Sequence, residues 1–170
     1  MPRLRGPIPI LMATAIVAGC GDDPSGPGPM GQSRIVFVAA RTTILPEIYV
    51  MNADGSGQQR LTFNPRGAGQ PCWSPDGSYI VFHRRWQDAN QRWWSGIFRI
   101  RPDGSEEASL DSIGDVFRVS PRVSPDGSKI AFCQIGASTF EVWVMNADGS
   151  AAVNLTPDSA WSSDPDWSPD

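Results

Sequence analysis

Short apolar runs of three or four residues recur along the chain and are separated by turn residues. Runs of this length, bounded by Gly, Pro and Asp, are typical of β-strands. The apolar residues are consecutive rather than alternating, which indicates strands covered on both faces. The pattern predicts an all-β fold, and the runs form two sets: Ile35–Phe37, Ile80–Phe82 and Ile130–Phe132, and then Ile48–Met51 and Val142–Met145.

Two turn sequences repeat together with these strands. Trp73-Ser-Pro-Asp-Gly77 returns as Val123–Gly127 and as Trp167–Asp170. A second turn, Asp-Gly-Ser, places its glycines at Gly55, Gly104 and Gly149, which are 49 and 45 residues apart. This period is the length of one propeller blade. We therefore predict a β-propeller of four-stranded antiparallel blades over residues 34–170.

The turn residues are assigned a structural role. Pro75 presets φ at the first turn position, Asp76 bonds back to the backbone, and Gly77 takes the left-handed conformation of a three-residue hairpin with a glycine bulge. Calcium binding is the alternative, but the carboxylates come one per turn without partners at ligand spacing. No metal site is predicted, and the same structural role is expected of Asp126 and Gly127, Asp54 and Gly55, Asp103 and Gly104, and Asp148 and Gly149.

The strand count gives about three blades. Arg34–Thr62 holds three strands, Gln70–Leu110 four, Val119–Thr156 four, and another strand opens at Asp164. Propellers close into rings, so we expect this chain to be the N-terminal part of a ring of about six blades. An open arc exposes apolar blade faces, and residues 34–170 alone should therefore associate.

The N-terminus has the features of an export signal over residues 1–19. Two arginines precede an apolar run that is too short to span a membrane. The ending Val17-Ala-Gly-Cys20 resembles the lipobox of bacterial lipoproteins, which implies that Cys20 is lipidated; a plain cleavable signal is the alternative. Residues 20–33 are rich in Gly and Pro and predict a flexible tether. We expect an exported protein, anchored by lipid in the cell envelope, with Gly21 favouring the periplasmic side of the outer membrane.

Charge and motifs exclude several classes of function. The formal net charge is −4, and it becomes −6 when Arg3 and Arg5 leave with the signal, which argues against nucleic acid. The sequence has no Gly-x-Ser-x-Gly elbow, no metal-spaced His or Cys cluster and no phosphate loop. The single histidine, His83, lies in a strand where the sister repeats have Val38 and Cys133. We predict no catalysis and no cofactor within these residues, and no pairing of Cys72 with Cys133.

Partner binding is predicted on one face of the disc. The tight Asp-Gly turns occupy the opposite face, whereas this long-loop face carries the connections Arg41–Pro46, Phe63–Gly69, Arg84–Ser95, Asp111–Arg118 and Pro157–Ser163. Trp and Arg are the residue types most enriched at interface hot spots. We expect the tryptophans to stack on a peptide or glycan and the arginines to donate charge-assisted hydrogen bonds. Alternatively, the tryptophans cover the blade edge. The candidate partner-binding residues are Arg84, Arg85, Trp86, Arg92, Trp93, Trp94 and Trp161.

The combined motifs resemble the WD-like propeller repeats of the TolB family. The resemblance rests on Trp73–Ile80, Ile48–Ser56 and Arg60-Leu-Thr62, and it covers Arg34 to Asp170. The same repeats occur in the propeller domains of prolyl-oligopeptidase-type serine peptidases. Two functions are therefore open: a non-catalytic envelope scaffold that binds proteins, glycans or peptides, which the lipobox favours, and the substrate-gating propeller of a peptidase truncated at residue 170.

Overall fold

The computed structural model describes residues 33–41, 44–63, 67–87, 89–111, 116–157 and 161–169. All the regular secondary structure within these ranges is β-strand, which confirms the all-β prediction. None of the described residues forms a helix able to cross a membrane. The signal, Cys20 and the tether up to residue 32 lie outside the described residues. The strands are β1 (Arg34–Ala39), β2 (Glu47–Asn52), β3 (Gln59–Arg60), β4 (Ala68–Trp73), β5 (Ile80–Gln87), β6 (Trp93–Ile100), β7 (Ala108–Ser109), β8 (Phe117–Val123), β9 (Lys129–Ile135), β10 (Phe140–Asn146) and β11 (Val153–Asn154).

These strands form three antiparallel meanders that we call blades 1, 2 and 3. Blade 2 is β4 to β7 and blade 3 is β8 to β11, each with four strands as predicted. Blade 1 is β1 to β3, so a first strand equivalent to β4 and β8 is missing from it among the described residues. A parallel bridge between Ser95 and Phe117 joins blade 2 to blade 3.

The hydrophobic core lies between the blades rather than inside one sheet. One cluster joins blade 1 to blade 2, with Ile48 and Val50 against Ile80 and Phe82. A second joins blade 2 to blade 3, with Val81 and Ile97 against Ile130 and Phe132 and others. Successive residues of β5 therefore face opposite neighbours. This explains the consecutive apolar residues, because the middle blade is covered on both sides; Trp73 and Trp143 are partly buried against these clusters.

The tight turns have the backbone conformation expected from their sequences. Gly77 and Gly127 have φ values of 69° and 73°. The loop length is different from the prediction: the backbone bond that closes the first loop joins Ser74 N to Tyr79 O at 2.9 Å, with four rather than three residues between them. Side-chain acceptors hold the fourth loop residue, Ser78, in place. Ser78 N donates to Asp76 Oδ1 and Tyr79 N donates to Ser74 Oγ, both at 3.0 Å.

Each blade ends in a leucine that the next blade covers. Leu61 and Leu110, which directly follow β3 and β7, are 2% and 8% exposed. The turn that follows the third strand of the next blade lies on each of them. A Cβ built on Gly104 of blade 2 would lie 3.7 Å from Leu61 O, and one built on Gly149 of blade 3 would lie 1.6 Å from Leu110 O. This leucine–glycine contact is therefore a repeating link between consecutive blades.

The first strands make a second repeating link. Gln70 in β4 and Ser120 in β8 are equivalent residues that precede a proline, and both have positive φ, at 50° and 53°. Ser120 N donates to Gln70 Oε1 at 2.9 Å, and Gln70 Nε2 donates to Ser120 Oγ at 2.7 Å. The same residues interrupt the β-ladder of each first strand, where the register shifts.

The largest departure from the sequence prediction is the connection Arg84–Ser95. The sequence predicts a loop here, but in the structure β5 continues to Gln87 and β6 starts at Trp93. The paired register runs without a break from Ile80↔Ile100 to Gln87↔Trp93. The predicted loop is therefore mostly a β-hairpin that extends blade 2, and we call residues 84–95 the blade 2 hairpin.

Candidate functional site

Exposed apolar side chains concentrate on the long-loop face. Within the described ranges, six large hydrophobic residues are exposed. Four of them lie on or beside the connections of this face, one in each of four connections: Ile44, Phe63, Trp93 and Trp161. The other two, Val153 and Leu155, lie at the outer end of blade 3. Exposed aromatic and aliphatic groups brought to one surface are typical of a protein-binding site.

The blade 2 hairpin does not present its three tryptophans on one face. Trp86 is paired directly with Trp94, and Gln87 is paired with Trp93. Because side chains alternate along a strand, Trp86 and Trp94 share one face and Trp93 points to the other. The single stacking platform predicted from the sequence is therefore divided in two.

Trp94 packs within the protein. Its ring lies 6.0 Å from the ring of Phe117 in blade 3, and the Arg92 guanidinium lies 5.2 Å from its centroid. Trp86 is also half-buried, and its ring borders Gly96, where an added Cβ would lie 3.2 Å from the Trp86 Cη2 atom. This face of the hairpin matches the alternative reading, in which tryptophans cover a blade edge.

Arg84 is likewise engaged within blade 2. Its guanidinium forms an ion pair with Glu107, and one of its nitrogens donates to Glu107 Oε2 at 2.6 Å. The same group lies 5.5 Å from the centroid of Phe82 and 5.2 Å from that of Phe98. Arg84 thus stabilises the hairpin rather than offering donors to a partner.

Trp93 and Arg85 form the accessible part of the hairpin. Trp93 is 45% exposed, and Arg85 is also exposed. Arg85 is paired with Ser95, so it sits diagonally across the ladder from Trp93 on the same face. Among the described residues Arg85 has no ion-pair partner. An indole beside a guanidinium can stack on a planar or apolar group while donating to a carboxylate.

Trp161 lies apart from the hairpin, at the outer side of blade 3. Its ring stacks on Phe140 with centroids 4.3 Å apart, and a backbone bridge joins the same two residues. Trp161 remains 74% exposed despite this contact. The structure therefore does not place Trp161 and Trp93 in one cluster but on neighbouring blades of one face.

Sequence reasoning missed two exposed residues of this face. Phe63 is 73% exposed and lies under the Arg60 guanidinium, with 4.7 Å between that group and the ring centroid. Ile44, in the connection between β1 and β2, is 95% exposed. The available signal was an apolar residue in a connection between strands, where polar residues would serve.

The turn aspartates have their partners within their own turns. The pKa of Asp126 is lowered to about 2, chiefly by the hydrogen bond from Ser124 and then by those from Ser128. Ser56 lowers the pKa of Asp54 in the same way, as Ser105 does for Asp103 and Ser150 for Asp148. These carboxylates serve the turns, and the described ranges contain no group of three or more residues suited to a metal ion.

His83 and Cys133 are buried at equivalent positions. Burial, reinforced by the charge of Arg85, lowers the pKa of His83 to about 4, so the imidazole is neutral at physiological pH. Its Nδ1 makes no hydrogen bond within the described structure. Cys133 is a free thiol, and so it is not paired with Cys72. Both residues occupy core positions rather than a reactive site.

The comparisons with known proteins agree with this architecture. Residues 27–170 match the family model described as TolB beta propeller domain. The chain is 35% identical over 121 residues to the Tol-Pal system protein TolB of Anaeromyxobacter dehalogenans strain 2CP-C, which covers 71% of this chain and 26% of that protein. The match confirms the propeller prediction.

Two solved structures share the fold. A candidate TolB of Agrobacterium tumefaciens has a TM-score of 0.62 and 25% identity, over 72% of this chain and 44% of that one. TolB of Acinetobacter baumannii has a TM-score of 0.60 and 24% identity, over 73% of this chain and 30% of that one. This chain therefore spans between about a quarter and under half of the proteins that it resembles.

Proposed function

We propose that this chain, which belongs to the TolB β-propeller family, is a non-catalytic scaffold of the cell envelope that binds partner proteins through its long-loop face. The observation that carries the proposal is the grouping of four exposed apolar side chains on this one face. A related TolB is named as a protein of the Tol-Pal system, which is consistent with protein partners. Glycans and free peptides remain alternative ligands of the same surface.

The chemistry of the face favours a partner segment that is both apolar and acidic. Trp93 and Phe63 offer aromatic surface, each near an arginine. Arg85 would pair with a carboxylate as the partner covers Trp93, because ion pairs strengthen when water is excluded. The lipobox-like ending Val17-Ala-Gly-Cys20 favours this scaffold over the peptidase-gating alternative.

Replacing Trp93 by Ala is the test of this surface. Since the indole is 45% exposed, Trp93→Ala should change the free energy of unfolding by less than about 1 kcal/mol. Capture of envelope partners by the tagged chain should fall about tenfold or more, as expected for a tryptophan hot spot. Affinity purification from cross-linked envelopes, followed by mass spectrometry, measures the loss.

The matched control is Trp94→Ala in the neighbouring position of the same strand. Trp94 packs on Phe117, so this variant should lose about 1 to 3 kcal/mol of stability and keep its partners. If Trp93→Ala captured the same partners at the same yield as the unmodified chain, the binding face would lie elsewhere. Arg85→Ala should weaken capture less than Trp93→Ala does.

Lipid anchoring through Cys20 is the second part of the proposal. It rests on the Val17-Ala-Gly-Cys20 ending after a short apolar run. Expressed in a Gram-negative host, the chain should incorporate labelled fatty acid and partition into the detergent phase, whereas Cys20→Ser should do neither. Acyl burial at about 0.8 kcal/mol per methylene makes this a large difference in partition. Equal behaviour of the two proteins would refute the anchor.

A further inference from the structure

The chain enters blade 1 at the tight-turn face, which is the face of the disc opposite to the long-loop face. Ser33, directly before β1, accepts a hydrogen bond through its carbonyl oxygen from Ala53 N at 2.9 Å, and Ala53 lies in the Asp-Gly turn between β2 and β3. In blade 3 the equivalent bond joins Ala147 N to Ser128 O at 3.0 Å, and Ser128 belongs to a tight turn. The segment that carries Cys20 is therefore attached to the tight-turn face.

The exposed residues of the candidate binding surface lie at the other end of the strands. In blade 3, β9 begins beside the turn of Ser128, and its seven residues lead to the connection 136–139 on the long-loop face. At about 3.3 Å per residue, a strand of this length separates the two faces by about 23 Å. Trp93 is paired with Gln87 at the far end of β5, which is one residue longer than β9. Trp93 is thus at least as far from the tight-turn face.

The described turns of the tight-turn face offer no large exposed apolar residue to a bilayer. They carry aspartates whose pKa values are lowered, chiefly by side-chain hydrogen bonds from serines: Asp54, Asp76, Asp103, Asp126 and Asp148. Cations beside these turns, such as Lys129 and Arg101, offset only part of this charge, and Arg101 is paired with Glu106. The tight-turn face is therefore acidic, and anionic lipid headgroups repel it at short range.

We infer that the tight-turn face is turned toward the membrane and the long-loop face away from it, so that partners reach Trp93 and Arg85 from the aqueous side. This inference rests on the lipid anchor at Cys20 proposed above. As the flexible tether that their composition predicts, residues 21–33 have an average reach of about 20 Å. They would keep the acidic face near the headgroups without contact. The fitting partner is a soluble protein or an extended segment, not a protein embedded in the same leaflet.

The reverse orientation would bring the exposed tryptophans to the lipid interface, where this residue type is enriched. The tether would then have to run the height of the disc, about 23 Å, before it met the bilayer. That distance takes up its whole average reach of about 20 Å and costs conformational entropy. The attachment at Ser33 therefore favours an aqueous partner. Bilayer contact of the long-loop face is the competing outcome of the test.

Energy transfer to the membrane tests the orientation on the full acylated chain. A donor dye is attached at one end of β9 or the other, at Pro125→Cys in the tight turn or at Ala137→Cys in the connection 136–139, both exposed. The chain is purified from a Gram-negative host and reconstituted in vesicles of phosphatidylethanolamine and phosphatidylglycerol that contain an acceptor-labelled lipid. Because the two sites differ in height by about 23 Å, we expect transfer from Pro125→Cys to be about twofold or more greater than from Ala137→Cys.

A second pair of positions keeps the result independent of either variant. Ser150→Cys lies in another turn of the tight-turn face, and Ile44→Cys lies in a connection of the long-loop face; both residues are exposed. The same difference in transfer is expected between them. The native Cys72 and Cys133 are buried, so the dye reacts with the introduced thiol.

Cys20→Ser separates failure of the orientation from failure of the anchor. In this background every labelled variant should lose its transfer to the vesicles. No transfer from any position in the chain that keeps Cys20 would refute the anchor, and the inference with it. Equal transfer from the two faces would retain the anchor and overturn the orientation. Greater transfer from Ala137→Cys and Ile44→Cys would also overturn it, and would assign the long-loop face to the bilayer.

Discussion

Gly149→Ala is expected to disrupt the contact between blades 2 and 3 and to lower the free energy of unfolding by about 4 kcal/mol or more. A Cβ built on Gly149 would lie 1.6 Å from the carbonyl oxygen of Leu110 and 2.6 Å from its carbon. The obstruction is backbone, so no side-chain rotation can relieve it. Denaturant unfolding followed by tryptophan fluorescence measures the loss, and the variant could also fail to accumulate as a folded protein.

Gly104→Ala is the matched control for this substitution. Gly104 and Gly149 occupy the same turn position, with φ values of 90° and 89°, so an alanine has the same left-handed strain at both. At Gly104 the nearest atom to an added Cβ is Leu61 O, at 3.7 Å, which is an ordinary contact. The free energy of unfolding of the control should therefore fall only by the cost of the left-handed strain, about 1 to 2 kcal/mol. Equal losses in the two variants would show that strain, and not the approach of blade 3 to Leu110, determines the effect.

The fold could be predicted from the sequence where the responsible residues are close together in the chain. The left-handed glycines and the strands next to them depend on short runs of consecutive residues, such as the six residues Ser124–Lys129, whose side chains and backbone bond to one another. The blade period follows from the spacing of these turns. Burial on both faces was predictable because consecutive apolar residues have no other stable arrangement in a sheet.

The blade 2 hairpin was not predictable, because distant contacts stabilise it. Its residues alternate among Arg, Trp, Gln and Asn without an apolar run, which is typical of a loop. The strands persist because Arg84 is held by Glu107 and Trp94 by Phe117, and the sequence gives no sign of either pairing. Of the residues predicted for the candidate site on this hairpin, Arg84 and Trp94 pack within the protein, and Trp93 is the exposed tryptophan.

Gly69→Val is expected to destabilise blade 2 by about 1 to 3 kcal/mol, the usual cost of overpacking a core. Gly69 is paired with His83 across β4 and β5, and a Cβ on Gly69 would lie 2.8 Å from His83 Cε1. His83 is 7% exposed, so the ring has little room to move away. Left-handed strain does not contribute, because Gly69 is not among the residues with positive φ.

In blade 3 the space equivalent to that of Gly69 and His83 is filled by residues whose relative sizes are reversed. There Val119 is paired with Cys133, so a larger residue on the first strand faces a smaller one on the second. Gly69→Val combined with His83→Cys transfers this pair to blade 2 and removes an imidazole whose Nδ1 has no described hydrogen-bond partner. The double variant should recover most of the stability that Gly69→Val loses, whereas His83→Cys alone should be destabilised by the space that the ring vacates.

A double-mutant cycle over the four proteins measures the coupling directly. Residues in contact that share one packing space commonly show interaction energies of about 0.5 to 3 kcal/mol. We expect a coupling above about 1 kcal/mol that favours the double variant, because each substitution removes the defect that the other creates. Additive effects within about 0.5 kcal/mol would mean that the two residues relax independently. The Gly69–His83 pair would then not be the blade 2 counterpart of Val119 and Cys133.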